Sequence, residues 1–60
     1  MNYRYYYNSQ GTILGFTEYR TICYTTAVGD STGHIDSTDK VVIEDYTVDL
    51  TTKTLVARNQ

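Results

Sequence analysis

Asn2-Tyr3-Arg4-Tyr5-Tyr6-Tyr7, followed at once by Asn8-Ser9-Gln10-Gly11, is the stretch that decides the fold. Tyrosine packs well on a pleated surface, and a run of bulky rings disfavours helix. Period-2 alternation places Tyr3, Tyr5 and Tyr7 on one face and Arg4 and Tyr6 on the other. The four residues that follow have turn composition, with Asn8 and Gly11 both suited to a positive φ. A strand over 2–7 therefore leads into a hairpin, and a second strand is predicted over 12–17. Gly15 inside that strand signals a bend or a bulge.

The rest of the chain has the same character. Of its 60 residues, eleven are Thr, five Val and four Ile, so one third are β-branched, and proline is absent. No strand is disqualified by a missing donor. Phe16, Tyr19 and Cys23 fall at helical spacing, but Gly15, Thr17, Thr21 and Ile22 oppose a helix there. Glu18 to Arg20 is predicted as a link or as a continuation of the second strand. Residues 21–28 are predicted as strand three, with Ile22, Tyr24, Thr26 and Val28 on one face. The polar segment 29–39 is predicted as the longest loop, with a turn or one 3-10 turn at Asp36-Ser37-Thr38-Asp39.

Strand four is predicted from Lys40 to about Val48, and its phase changes midway. Val41 and Ile43 share one face, whereas Tyr46 and Val48 fall on the opposite one. A β-bulge at Glu44-Asp45 would turn both pairs inward. The alternative is a strand buried on both faces, one of them against a partner subunit. Residues 49–53 then form a turn, and 54–58 pair back as strand five.

The predicted class is all-β: five short, mostly antiparallel strands in a small, partly open barrel or a strongly curved sheet, one domain over 1–60. In length and strand count the whole chain resembles SH3-like and Tudor-like barrels. Its Tyr-, Thr- and Asn-rich style is similar to that of small proteins encoded by tailed bacteriophages.

Length and charge limit the functions. A chain of this size buries only about 60% of its unfolded surface and usually needs a staple. One cysteine, Cys23, forms no intramolecular disulfide, and one histidine with one cysteine makes no structural zinc site. Oligomerisation, most simply as a homodimer, is the expected substitute. A single cysteine fits a reducing compartment, so a cytoplasmic location is expected, the host cytoplasm if the chain is viral. No apolar run suits a signal peptide or a membrane span. The net charge of −2, with basic residues scattered, speaks against nucleic-acid binding.

Several residue groups could carry chemistry. Tyrosines offer rigid, amphipathic contact area for a peptide, a modified side chain or a sugar. Tyr3, Tyr5 and Tyr7 are expected in the core. Arg4, Tyr6, Tyr19 and Tyr46 are the candidate binding or interface residues. Asp30, His34, Asp36 and Asp39 have oxygen and nitrogen donors for a cation but no EF-hand spacing. Ser31, His34 and Asp36 have the residue types of a nucleophilic triad, yet all lie in one loop without a scaffold. Glu44 and Asp45 are adjacent, so on a strand they face opposite ways. Gly29 and Gly33 read as turn glycines, and Cys23 as a small apolar residue. No cofactor or catalytic residue is expected, and the expected function is a non-enzymatic interaction or structural module that self-associates. A module that binds a peptide, modified side chain or sugar in an aromatic pocket is the alternative.

Overall fold

The computed structural model describes residues 1–58, and in it β1 (Asn2–Tyr7) is a central strand with neighbours on both sides. It pairs antiparallel with β2 (Ile13–Tyr19) along one edge and with β3 (Gly33–Ser37) along the other. β4 (Tyr46–Asp49) and β5 (Thr54–Ala57) form a second, two-stranded antiparallel sheet. The class is all-β with five strands, as composition predicts, in two sheets neither of which closes into a barrel.

The first hairpin forms as its sequence requires. The Asn8 side-chain carbonyl accepts from the Gln10 and Thr12 amides at 2.9 and 3.0 Å, and Gly11 turns at φ +82°. The register then passes from Tyr6 opposite Gly15 to Tyr7 opposite Ile13, so Leu14 is an extra, bulged residue. This is the irregularity that Gly15 signals. β2 also runs on to Tyr19, absorbing part of the expected link.

The third strand differs from expectation. Residues 21–28 have strand-like composition but form no strand. β3 instead comes from the segment expected to be a loop. The reason lies in what β1 can accept on its second edge. Gly33 stands opposite Tyr7, and a Cβ there would lie 2.5 Å from the Tyr7 hydroxyl, so only glycine leaves room for the ring. Gly33 therefore opens a strand and is not a turn glycine. Two residues on, Ile35 stands opposite Tyr5 and joins the core, and Asp36 stands opposite Arg4, a cross-strand charge pair that fixes register.

Strand four is also shorter than expected. Only Tyr46–Asp49 is extended and paired; Ile43–Asp45 form one 3-10 turn. That turn performs the phase reset assigned to a bulge at Glu44-Asp45. Val41 before it, Ile43 at its first position, and Tyr46 and Val48 after it all pack on one cluster with Tyr5, Tyr7 and Ile13. Both phases are thus satisfied within the chain, and no partner subunit is required to cover one of them.

An isolated two-stranded hairpin is marginal in water. β4 is anchored by the tip of the first hairpin: the Gly11 carbonyl accepts from the Val48 amide (2.9 Å) and the Thr47 hydroxyl (2.7 Å). The turn to β5 is held by Asp49, whose carboxylate accepts from the Thr51 amide at 2.9 Å. It closes with Lys53 at φ +60°, the one non-glycine residue at positive φ among the described residues.

Two substitutions test this account. A Cβ at Gly11 would meet the Val48 carbonyl at 2.5 Å in a left-handed backbone. Gly11→Ala is expected to destabilise the chain by about 2 kcal/mol or more, read as a lower urea midpoint. Lys53→Gly relieves about 1–2 kcal/mol of left-handed strain against about 0.5–1 kcal/mol of added chain entropy. It is expected to raise the midpoint by roughly half a molar.

Candidate functional site

Three of the four residues expected to bind meet on one face of the larger sheet, and that face is covered. Tyr6 does lie opposite to Tyr5 and Tyr7, as alternation demands, but it is fully buried. The segment over 21–28 runs across it as a strap. The Tyr6 hydroxyl donates to the Thr25 carbonyl at 2.7 Å and lies 3.6 Å from the Cys23 sulfur. The same carbonyl accepts from Arg4 Nη1 (3.3 Å) and from the Cys23 thiol (3.4 Å). One backbone oxygen therefore ties the strap down, and Cys23 is part of that tie.

Arg4 is committed to structure as well. Its Nε and Nη2 form a bidentate pair with the Asp36 carboxylate, at 2.7 and 3.1 Å. Its guanidinium carbon lies 5.7 Å from the centre of the Tyr19 ring, a cation–π contact. The hydrogen bond from Arg4 holds the Asp36 carboxyl below the ordinary carboxylate range, and that same bond raises the Arg4 guanidinium. Burial pushes the Tyr6 phenol up. Arg4, Tyr6 and Tyr19 are thus brought together, as a structural cluster with little free surface.

The other constellations are not assembled. The Ser31 hydroxyl accepts from the Val28 amide at 2.9 Å, while His34 packs edge-on against Tyr6 and Asp36 holds Arg4. Among the described residues no three His, Cys, Asp or Glu side chains gather closely enough to hold a metal ion. Glu44 and Asp45 lie in the 3-10 turn, with Asp45's carbonyl accepting from the Arg58 amide at 2.8 Å. No helix among the described residues is long and apolar enough to cross a membrane.

Tyr46, the fourth expected residue, stands elsewhere and borders two depressions of the surface. One, of about 240 Å³, lies between Thr12, Ile43 and Arg58. The other, of about 450 Å³, is a groove between β3 and the start of β5. Ile35, Val41, Tyr46 and Leu55 line it with apolar surface, and Asp39 and Lys53 supply opposite charges. Tyr46 is legible in the sequence and the groove is not, because residues 33–37 have loop composition and yet pair as β3.

The exposed apolar surface is the remaining feature. Ile22 and Tyr24 project from the strap, 60% and 86% exposed, and Leu14 and Phe16 stand on β2 at 40% and 37%. No protein-family model, curated protein or solved structure matches the chain.

The tied-down strap predicts an unusual pH response at both extremes. Asp36 stabilises the fold above the unfolded carboxylate value near 4, and this contribution is lost as pH falls through its lower folded value. Asp36→Asn is expected to flatten the acid limb of stability against pH. A raised Tyr6 phenol has the opposite sense: stability holds below about pH 10 and falls above it. Tyr6→Phe is expected to lose about 1 kcal/mol at neutral pH and to weaken that alkaline fall, both read by urea unfolding.

Proposed function

We propose that this chain is a small, non-catalytic protein-interaction module that self-associates through the outer edge of β2. One observation carries this. β2 is the longest strand, at seven residues, and it lies at the edge of its sheet with Leu14 and Phe16 exposed. An edge strand of that length is a template for another strand, and natural monomers usually shield such an edge. Two copies paired antiparallel across a two-fold axis would extend the sheet from three strands to six and cover both residues.

Further support comes from the core, where five side chains are buried among the described residues, against eight large apolar ones left exposed. A single cysteine suits work in a reducing cytoplasm, host cytoplasm if the chain is viral. The likeness to SH3-like barrels and to small phage proteins belongs to the same proposal and draws on length, strand count and composition.

Native mass spectrometry through the micromolar range tests the association. A dimer is expected, converted to monomer by Phe16→Lys while far-ultraviolet circular dichroism keeps its β signature. A monomer at every concentration would sink the proposal.

A further inference from the structure

The groove between β3 and β5 lies along the opposite edge of the larger sheet from β2, so an occupant there does not compete with a second copy. β3 is an edge strand, and an edge strand presents alternate amides and carbonyls outward. Beside it, Ile35, Val41, Tyr46 and Leu55 offer a patch of half-buried apolar surface. The volume of about 450 Å³ falls within the ~300–1,000 Å³ of ordinary ligand sites. Backbone edge plus an apolar trough is the geometry that takes an added strand, with alternate side chains of the guest pointing into the trough.

Lys53 says which guest. It sits on the groove at φ +60°, where glycine or asparagine would be unstrained. Its ammonium forms no ion pair among the described residues. Of the two carboxylates on the groove, Asp36 is neutralised by Arg4, and Asp39 forms no ion pair among the described residues. Backbone strain held at a ligand-facing position points to a side chain retained for contact. We propose that this groove binds an extended peptide segment, added to β3 as a further strand, with alternate apolar residues in the trough and a carboxylate at Lys53.

The test uses the full chain immobilised against a displayed library of random twelve-residue peptides. Enriched peptides are then synthesised and titrated into isotopically labelled protein. The expected result is a set of peptides with alternating apolar residues and an Asp or Glu. They should bind below 1 mM and shift the amides of Gly33–Ser37. Lys53→Gly, which is expected to fold more stably, should weaken them at least tenfold, and Phe16→Lys should leave them unchanged. The proposal is overturned by a library without binders below 1 mM, by shifts confined to other strands, or by equal affinity for Lys53→Gly. Shifts at Gly33–Ser37 that vary on dilution without peptide would put a second copy in the groove and overturn it equally.

Discussion

The structure depends on the hydroxyl of Tyr5. It donates to the Asp39 carbonyl at 2.7 Å and accepts from the Val41 amide at 2.9 Å, while its ring is fully buried between the sheets. Residues 39–41 are where the chain leaves the first sheet for the second. A buried backbone group without a partner costs about 1–3 kcal/mol, and here one phenol satisfies two. Tyrosine can do this because its polar tip reaches past its own apolar body. Phenylalanine would fill the same space and leave the crossing unpinned. With the crossing fixed, the 3-10 turn at Ile43–Asp45 can deliver Tyr46 and Val48 to the cluster that Val41 and Ile43 already join.

β1 solves the small chain's shortage of core by burying both of its faces. One face meets the second sheet through Tyr5 and Tyr7; the other carries Tyr6 under the strap. The strap has no strand partner, because β2 and β3 already occupy both edges of β1. It holds on through side chains instead, with Tyr6, Arg4 and Cys23 all converging on the Thr25 carbonyl. The residues with the look of a binding surface are therefore spent on closing the fold.

Much of this was legible in the sequence, and the misses have a common cause. Alternation, turn residues and Gly15 gave the first hairpin with its bulge, and Asp49 to Lys53 gave the second turn, since these are local signals. The phase conflict between Val41 and Tyr46 correctly marked a break, although a 3-10 turn makes it and not a bulge. The third strand is not the segment that propensity favours, because pairing with β1 is decided at long range. Residues 21–28 have the better propensity, but Gly33 has the space for the Tyr7 ring and Asp36 has the charge for Arg4. Neither advantage is visible until β1 is in place. The same miss hid Tyr6's burial and the groove, since both are made by what the displaced segment does next.

The two ends of the larger sheet are left in different states, and that difference bears on function. At β2 the exposed Leu14 and Phe16 are apolar, with the Lys40 ammonium 5.8 Å from the centre of the Phe16 ring and Glu18 exposed farther along the strand. At β3 the neighbouring surface mixes an apolar trough with Asp39 and Lys53, a pattern that discriminates by charge. A lysine at φ +60°, where glycine would relax the backbone, keeps on the β3 side of the molecule a cation that is unpaired among the described residues.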